Sequence, residues 1–337
     1  MYRPHAAASP EPVGFLLIPR FSMMAYVSAV EPLRVANRLS GRALFSWHAF
    51  SPDGGPVEAS NGMRLIVDGP IEAAKELPSL IVCAGFDPQK HKTRRLLSGL
   101  RQLSRLGVTL GALDTGAHIL AKARLIDDIP VTMHWEAVPA FQEEFPHITV
   151  SDELFEVQDR FFTCAGGTAA LDLMLDMIGR KHGMPLAIAV SEQFIHDRIR
   201  DRHDHQRLEL SSRLKVTNSR VLKIVNAMER HLEQPLDNGA LADLAGVSTR
   251  QMERLFKSLL GASPSEYYRT LRLSRARALL RQTDMSVLDV AVATGFSSAS
   301  CLSRRYRAHF AMAPRDDRRE QPGPGQGAEV ATRRNSA

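Results

Sequence analysis

The feature that most constrains this chain is a pattern that occurs twice in its last third. Residues 241–264 read LADLAGVSTRQMERLFKSLLGASP, and residues 288–314 read LDVAVATGFSSASCLSRRYRAHFAMAP. When the two segments are aligned at an offset of about 50 residues, Arg254 falls on Arg304, with one extra residue in the second turn. A unit that recurs in this way predicts two copies of one supersecondary structure.

Each copy has the parts of a helix, a tight turn and a second helix. Gly246 and Gly295 permit the sharp turn, while Ser248 and either Ser297 or Ser298 are good N-caps for the second helix. Apolar residues at helical spacing predict the inward faces. In the first copy these are Leu241, Leu244, Ala245, Met252, Leu255, Phe256 and Leu259, and in the second they are Val287, Val290, Ala291, Leu302, Tyr306 and Phe310.

The other side chains of each second helix are predicted to face outward. A recognition helix in the major groove reads base edges with its N-terminal outward side chains, Arg most often contacting guanine, while Ser, Thr and Lys hold phosphates. The predicted DNA-binding residues are Ser248, Thr249, Arg250, Gln251, Glu253, Arg254 and Lys257 in the first copy, and Ser298, Ala299, Ser300, Ser303, Arg304 and Arg307 in the second. One copy alone is equally consistent with a helical hairpin that has a solvated charged face. Two copies, joined by a helix predicted over residues 271–280, favour DNA binding.

Positive charge is concentrated in the same region. Residues 214–316 contain 16 Lys and Arg against 9 Asp and Glu, whereas residues 1–213 contain 23 against 25. Neutralising DNA phosphates requires such a local excess of cationic side chains. The charge distribution therefore favours DNA binding by the last third of the chain.

Residues 218–316 resemble the DNA-binding domain of AraC/XylS-type transcription regulators, in which a long helix joins two helix-turn-helix units. The segment GFSSASCLSRRYRAHFAMAP carries the resemblance. The chain departs from the family pattern at Ala311, where Gly is usual, and at Arg315, Asp316 and Asp317, which replace an ending that contains an aromatic residue. Both departures concern the packing of the last turn.

Length and composition set the outer bounds. A chain of 337 residues is expected to hold about two domains. The start, MYRPHAAASPEP, has no hydrophobic signal segment, so we expect a cytoplasmic protein without a membrane span, with a disordered leader over residues 1–12 and a disordered tail over residues 317–337. Because Cys83, Cys164 and Cys301 lack paired ligand spacing, we expect no disulfide, metal site or cofactor.

A charged connector is predicted between the two halves. Residues 13–185 would form the first domain, residues 186–217 a helical linker and residues 218–316 the second domain. His203 and His205 in the sequence RDRHDHQR have the spacing of metal ligands. The surrounding charge favours a solvated connector over a metal site.

The first half alternates short apolar runs with amphipathic stretches. Continuous apolar strands between helices predict a doubly wound, mainly parallel sheet, in which ligands collect at the C-terminal ends of the strands. Candidate strands cover residues 13–18, 47–51, 80–83, 108–113 and 131–133, and candidate helices cover residues 24–39, 88–105, 115–124, 136–144 and 167–181.

One strand end has the form of a nucleophile elbow. The segment VTLGALDTGAHILAKA predicts a strand, a sharp turn that displays Asp114, and a helix. Residues 13–182 resemble the PfpI-type, glutamine-amidotransferase-like domain, which implies a flavodoxin-like α/β fold with Cys on this elbow, a His downstream and a Glu on the first helix. By motif position these correspond here to Asp114, His134 and Glu31. Because a carboxylate is a poor substitute for a thiolate nucleophile, the chain is interpreted as a non-enzymatic ligand sensor.

The predicted ligand is a small cation or zwitterion. Carboxylates at Asp114 and Glu31 and an aromatic face at Trp135 suit a trimethylammonium or guanidinium group, and the N–H groups that open the following helix suit a carboxylate. The full predicted ligand-binding set is Glu31, Asp114, Thr115, Gly116, His134, Trp135 and Thr168.

Structural alternatives exist for most of that set. Trp135 would serve equally well as a core residue and His134 as a structural histidine. Glu31 could pair with Arg34 or Arg38, and Asp114 could cap its own helix. Thr168 follows a Gly-Gly turn that needs glycine for backbone reasons alone.

The order of the two domains is that of GlxA-type regulators of the AraC/XylS family, and the resemblance covers about residues 13–316. It implies a transcription activator that responds to a quaternary amine such as glycine betaine or carnitine, or to arginine. The implied partners are double-stranded promoter DNA, the small-molecule effector, RNA polymerase and a second copy of the chain. A PfpI-like hydrolase or amidotransferase fused to DNA-binding units, and a constitutive DNA-binding protein with a vestigial first domain, are the alternatives.

Overall fold

The computed structural model of the protein describes residues 10–319. The chain divides into two compact units, with the boundary between Gln206 and Arg207. The predictions for residues 1–9 and 320–337, which belong to the expected leader and tail, lie outside the described residues. The expected leader over residues 1–12 was wrong at Glu11 and Pro12, which belong to the first strand of the sheet. Within residues 10–319, the helices are all too short or too polar to cross a membrane.

The first unit is built on a seven-stranded sheet. Its strand order is β5-β2-β1-β6-β7-β9-β8, and every neighbouring pair is parallel except the antiparallel pair β8–β9. A two-stranded antiparallel ribbon, β3–β4, lies outside it. The strands are β1 (Glu11–Leu17), β2 (Phe45–Ser51), β3 (Val57–Glu58), β4 (Arg64–Leu65), β5 (Gly69–Pro70), β6 (Ser79–Cys83), β7 (Thr109–Leu113), β8 (Phe155–Val157) and β9 (Phe161–Cys164).

Helices cover both faces of this sheet, as the doubly wound, flavodoxin-like prediction requires. Successive residues from the end of β1 to Ile18, directly after it, alternate between two cores: Phe15 and Leu17 pack on one side, and Leu16 and Ile18 on the other. The helices are α1 (Met23–Ser40), α2 (Arg94–Arg105), α3 (Gly116–Lys122), α4 (Val138–Glu144), α5 (Ala169–His182) and α6 (Met184–Gln193), with 3₁₀ turns at Ile71–Glu76 and Pro88–His91. The predicted fold class of this domain is confirmed.

Three local predictions for the first unit differ from the structure. Residues 131–133 make only an isolated bridge, Val131 to Val150, because the chain turns away at once to present the following residues. The strand Phe161–Cys164 was not predicted because it has only four residues and follows a charged turn. The expected helix over residues 88–105 is two elements, since the chain breaks at Thr93, which caps α2.

The predicted helical linker is helical only near its ends. Residues 184–193 form α6 and residues 210–214 form a single turn of helix, while residues 194–209 have no regular structure. Hydrogen bonds from side chains and backbone hold residues 196–206 against the first unit. The irregular segment is therefore a bound part of the first unit up to residue 206.

The second unit is entirely helical and contains two helix-turn-helix pairs, α9–α10 and α12–α13. The long helix α11 joins them. It begins seven residues before the predicted residues 271–280, because a capping box at Ser263 and Glu266 starts it early, and it ends two residues after them. The helices are α7 (Leu210–Leu214), α8 (Ser219–Arg230), α9 (Asn238–Ala245), α10 (Thr249–Leu260), α11 (Pro264–Gln282), α12 (Val287–Ala293), α13 (Ala299–Phe310) and α14 (Pro314–Arg319).

Of the predicted inward residues of the two helix-turn-helix pairs, seven are buried, four are half-buried and two are exposed. Met252, Phe256 and Tyr306 are fully enclosed. Leu244 is 39% exposed and Leu259 is 42% exposed, so the prediction that they pack inward was wrong. Each lies at the edge of the apolar face of its helix, where burial is incomplete.

The start of the expected disordered tail is ordered. Helix α14 extends to Arg319, and Asp317 on it is completely buried. Its carboxylate accepts hydrogen bonds from Tyr306 on α13 at 2.6 Å and from Arg281 on α11 at 2.8 Å, and it pairs with Arg277 at 2.8 Å. The prediction was wrong at residues 317–319 because charge alone suggested solvation, whereas the partners of Asp317 come from other helices.

Candidate functional site

The two recognition helices begin with the predicted serine caps. Ser248 accepts a hydrogen bond from the Gln251 N–H at 3.2 Å, and Ser298 accepts one from the Cys301 N–H at 3.1 Å. Ser298, rather than Ser297, is therefore the second cap. Each cap satisfies a free N–H at the helix start and fixes which face of the helix turns outward.

The outward faces agree with the prediction for nearly all positions. All seven predicted DNA-binding residues of the first copy are exposed. In the second copy Ser298, Ser300, Arg304 and Arg307 are exposed, while Ala299 and Ser303 are half-buried. Arg305 is also exposed, although the helical pattern did not single it out. Contact of these residues with DNA stays a prediction.

An arginine from α11 holds the turn of the second helix-turn-helix pair, between α12 and α13. Gly295 has a φ of 68°, and a Cβ there would lie 2.7 Å from the Leu232 carbonyl oxygen, so glycine is required. Arg272 donates to the Thr294 carbonyl at 2.7 Å and lies 4.2 Å from the centre of the Phe296 ring. Burial lowers the pKa of Arg272 from its ordinary value. This contact fixes α12 and α13 to the helix that connects the two pairs.

In the first unit, Asp114 occupies a strained elbow between β7 and α3. Its φ is 60°, a left-handed conformation that is uncommon for residues other than glycine. Glycine is needed on both sides, since a Cβ on Gly116 would lie 2.3 Å from the Val82 carbonyl oxygen and a Cβ on Gly166 would lie 2.8 Å from the Asp114 Cβ. Backbone strain of this kind gathers at functional sites.

The surroundings of Asp114 bring the pKa of its carboxyl close to neutral pH. The pKa of Asp114 is raised to about 7, mainly by burial and in smaller part by the charge of Glu136, while hydrogen bonds from the Ser22 hydroxyl and the Thr115 N–H act in the opposite direction. The N-cap of α3 is Thr115, and its side chain makes no capping hydrogen bond. Ser22 and Glu136 were not identified from the sequence, although Glu136 directly follows Trp135 along the chain.

His134 and Trp135 lie beside the elbow. The His134 N–H donates to the Asp114 carbonyl at 3.3 Å, and the two rings are 5.5 Å apart between centres with an angle of 35°. Burial lowers the pKa of His134. Trp135 is 40% exposed, so the alternative that it belongs to the core is excluded. Trp135 therefore lies partly exposed, one residue beyond the contact of His134 with the Asp114 carbonyl.

The other predicted ligand-binding residues have protein partners. Glu31 pairs with Arg34 at 2.6 Å and lies nine residues beyond Ser22 on α1, which corresponds to about 13 Å along the helix axis. The Thr115 hydroxyl donates to the Gly85 carbonyl at 2.6 Å, and the Thr168 hydroxyl accepts from Arg200 at 2.8 Å. The acidic neighbour of Asp114 is Glu136 and not Glu31.

The thiols near the elbow are poor nucleophiles. Cys83 ends β6 and Cys164 ends β9, on either side of the last residue of β7 in the sheet register. Both are buried, and burial raises the pKa of Cys164 to about 12 and that of Cys83 well above its usual range. Neither is a thiolate near neutral pH.

One of the two histidines of the charged segment has a carboxylate partner. His203 binds the Glu153 carboxylate at 2.9 Å. Across residues 10–319, His, Cys, Asp and Glu side chains nowhere gather in groups of three or more that could hold a metal ion.

Comparison with known proteins agrees with this architecture. Residues 15–180 match the DJ-1/PfpI family and residues 241–320 match the helix-turn-helix domain family. The HTH-type transcriptional regulator CdhR of Pseudomonas aeruginosa is 52% identical over 91% of this chain and 91% of its own, and the regulator GbdR of the same species is 45% identical over 93% and 86%. A crystal structure of an AraC family transcriptional regulator from Pseudomonas putida matches 55% of this chain and all of its own with 30% identity and a TM-score of 0.51.

A PfpI-like sheet domain followed by two helix-turn-helix units defines a class of transcription regulators. At this level of identity over nearly the whole length, the relationship is one of family and not only of fold. The chain belongs to the GlxA-type regulators of the AraC/XylS family.

Proposed function

We propose that this protein is a sequence-specific DNA-binding transcription activator whose first domain senses a small amine or amino-acid metabolite without catalysing a reaction. The observation that carries the proposal is the pairing of two exposed, serine-capped recognition helices with an elbow that displays a carboxyl beside an exposed tryptophan. The alternative of a PfpI-like hydrolase needs a nucleophile that the elbow lacks.

The second domain suits two successive major grooves. Helix α11 has 19 residues and is therefore about 28 Å long, with one helix-turn-helix pair attached near each end. Successive major-groove faces on one side of B-DNA are about 34 Å apart. Arg254 and Arg304 hold equivalent places on the two recognition helices, and both are exposed.

The DNA-binding proposal is tested by removing each of these arginines. Arg254→Ala and Arg304→Ala should each weaken binding to a selected specific duplex by about 1 to 3 kcal/mol more than binding to random duplex. Fluorescence anisotropy with both duplexes measures this. Arg220→Ala, which removes an exposed arginine from α8, is the matched control and should have little effect. Equal losses on specific and random DNA would mean that the two arginines hold phosphates and do not read bases.

The elbow favours a quaternary ammonium or guanidinium ligand, such as glycine betaine, carnitine or arginine. Asp114 and Glu136 supply negative charge, and the Trp135 face supplies a cation–π surface, a contact worth about 0.5 to 2 kcal/mol. Because Asp114 has a pKa of about 7, a cation that binds its charged form would draw a proton off the carboxyl. Affinity should then rise by about tenfold from pH 6 to pH 8, in proportion to the ionised fraction.

The effector proposal is tested by calorimetry and thermal shift with glycine betaine, carnitine, choline and arginine. At least one of them should stabilise the wild type, with the stated pH dependence, and Asp114→Asn should abolish both effects. Asp152→Asn removes an exposed carboxylate elsewhere and is the control. If no amine binds, the constitutive DNA-binding alternative is favoured.

Absence of catalysis is tested separately. Wild-type protein should not hydrolyse peptide, ester or amide substrates, and Asp114→Cys serves as the comparison because it restores the family's nucleophile. Turnover by the wild type that Asp114→Asn abolishes would establish the hydrolase alternative.

Homodimerisation and contact with RNA polymerase complete the proposal, since an activator raises polymerase occupancy of a promoter. Light scattering measures the mass of the free and DNA-bound protein. Transcription in vitro with purified polymerase measures activation, and a fall in transcript on addition of the protein would indicate a repressor.

A further inference from the structure

We propose that the segment of residues 194–206, here called the strap, transmits the state of the elbow to the DNA-binding domain, and that Gln206 is its coupling residue. The inference rests on the proposed function and adds the route of regulation. It is drawn from a set of contacts that anchor the strap to the two loops beside Asp114.

One anchor lies on the α5 side of the elbow. Asp172 on α5 is completely buried, and its carboxylate accepts hydrogen bonds from the Arg200 guanidinium at 2.6 and 2.9 Å, from the Arg200 N–H at 2.8 Å and from the His196 ring at 3.0 Å. Arg200 also donates to the Thr168 hydroxyl. Thr168 ends the Gly166–Gly167 turn, which packs directly against Asp114.

The middle of the strap is anchored to residues 153 and 154, directly before β8. The Leu154 N–H donates to the Arg202 carbonyl at 2.8 Å, and the His203 ring binds Glu153. These contacts lead the strap from the Thr168 side of the elbow toward the loop that carries His134 and Trp135.

The last anchor is a single amide side chain that makes three hydrogen bonds. The Gln206 oxygen accepts from the Trp135 N–H at 3.0 Å, and its nitrogen donates to the Thr132 hydroxyl at 3.0 Å and to the Glu153 carbonyl at 3.0 Å. Thr132 is completely buried, so the loop residue that accepts from Gln206 is held in place. Only an amide can accept from one partner and donate to two others in this arrangement.

The contacts form a continuous path. The Asp114 carbonyl accepts from the His134 N–H, and the next residue along the chain, Trp135, donates its N–H to Gln206. The next residue after Gln206 is Arg207, the first of the second unit. A ligand seated on Asp114 and the Trp135 face acts on the same loop that holds the final residue of the first unit.

Coupling requires that the ligand prefers one arrangement of this loop over another, and thermodynamic reciprocity then requires DNA binding to alter the same loop. Breaking the Gln206 anchor should uncouple effector binding from DNA binding without abolishing either. Effector binding would persist, because Gln206 makes its hydrogen bond to the Trp135 backbone and is not among the residues proposed to contact the ligand. DNA binding would persist, because the recognition helices are unchanged.

The experiment uses the full chain as wild type, Gln206→Leu and the matched control Gln193→Leu, an exposed glutamine at the end of α6. Glycine betaine, carnitine, choline and arginine are the probes, and a duplex selected from a random library is the DNA. In the wild type, the best amine should change DNA affinity by about 5- to 150-fold, the usual range for coupled sites. In Gln206→Leu this ratio should fall to near one while the amine and DNA affinities measured separately stay within about twofold.

Hydrogen exchange gives a readout that needs no amine. Addition of the duplex should change exchange of the backbone amides of residues 131–137 in the wild type and in Gln193→Leu, but not in Gln206→Leu. If Gln206→Leu melts early, Gln206→Glu replaces it, because a carboxylate keeps the acceptor for Trp135 and loses both donated bonds.

Unchanged exchange of residues 131–137 in the wild type on DNA binding would overturn the proposal, as would an unreduced coupling ratio in Gln206→Leu. If no amine binds but the duplex alters exchange through Gln206, the strap is supported and the effector class fails. The two proposals are thereby distinguished.

Discussion

Three strained residues mark the same edge of the sheet in the first unit. Arg20, Asp87 and Asp114 all have φ near 60° without being glycine, and they follow β1, β6 and β7, which are adjacent strands. Left-handed backbone costs about 1 to 2 kcal/mol at each such residue, so surrounding contacts must hold it. Asp87 is buried and pairs with Arg20, whose guanidinium also lies 5.3 Å from the Phe86 ring centre. The strain is concentrated where a doubly wound sheet binds ligands.

The pKa of Asp114 gives a pH-dependent prediction for stability. Between the ordinary pKa of 3.8 and the folded value of about 7, the folded protein retains a proton that the unfolded chain releases. The carboxyl therefore destabilises the fold increasingly over this interval and fully above pH 7. The stability of Asp114→Asn relative to the wild type should grow by about 1 to 3 kcal/mol from pH 5 to pH 8.

Urea unfolding at a series of pH values measures this difference. Asp152→Asn is again the control and should show little pH-dependent gain. A constant difference between Asp114→Asn and the wild type would show that the carboxyl is charged throughout the range.

Ala311 gives a second prediction at the scale of one residue. It ends α13 with a φ of 60°, and the equivalent residue that ends α10 is Gly261 with a φ of 71°. Ala311 is exposed, and a Cβ on Gly261 would meet nothing within 4 Å, so backbone strain dominates both positions. Ala311→Gly should raise the free energy of unfolding by about 1 kcal/mol, and Gly261→Ala should lower it by a similar amount.

Differential scanning calorimetry of both variants checks the pair. Opposite shifts of similar size are expected. A lower melting temperature for Ala311→Gly would mean that entropy gained by the unfolded chain outweighs relief of strain.

At the scale of elements, helix α14 is fastened by one buried charge. Asp317 binds Arg277 and Arg281 on α11 and Tyr306 on α13. Burial alone would raise its pKa, but the hydrogen bonds from Tyr306 and the two arginines hold the pKa of Asp317 below its ordinary value. The aspartate thus fills the place of the aromatic ending usual in the family with an ionic contact.

Asp317→Asn should loosen α14 and destabilise the second domain by about 2 to 3 kcal/mol, below the usual cost of breaking a fully buried ion pair because both arginines are about one-third exposed. Thermal unfolding followed by circular dichroism measures this. Asp316→Asn, the exposed neighbour, should be close to neutral. Equal effects of the two variants would show that Asp317 contributes no specific contact.

At the scale of the whole molecule, the charge is divided between the two parts of the chain. Residues 214–316 carry seven more cationic than anionic side chains, while residues 1–213 carry two fewer. Attraction to DNA therefore acts on the second domain. The slight anionic excess of residues 1–213 suits the cationic ligand that we propose for the elbow.

DNA affinity should depend steeply on salt. If the two recognition helices and their neighbours neutralise about 6 to 10 phosphates, affinity should fall about 10³- to 10⁵-fold between roughly 50 and 200 mM salt. Anisotropy titrations over this range give the slope, and Lys257→Ala should reduce it by about one unit if that lysine contacts a phosphate. A slope near that of one or two phosphates would mean that only one helix-turn-helix unit engages DNA.

The amino-acid sequence by itself determined the duplicated helix-turn-helix units, the serine cap of the first one, the doubly wound sheet and the elbow at Asp114, whereas the structure selected Ser298 over Ser297 as the second cap. These features depend on periodicity, capping and turn residues that act within a few positions of the chain. Both departures from the family pattern were visible as well, at Ala311 and around Asp317. Their physical consequence was not, because it depends on which helices lie beside them.

Tertiary structure alone decided which charges meet. Asp317 is buried because Arg277, Arg281 and Tyr306 converge on it, and Asp114 has Glu136 as its acidic neighbour because the chain returns to the elbow after α3. The three bonds of Gln206 likewise join positions more than 50 residues apart. Desolvation and pairing energies depend on distance in space, and separation along the chain does not determine that distance.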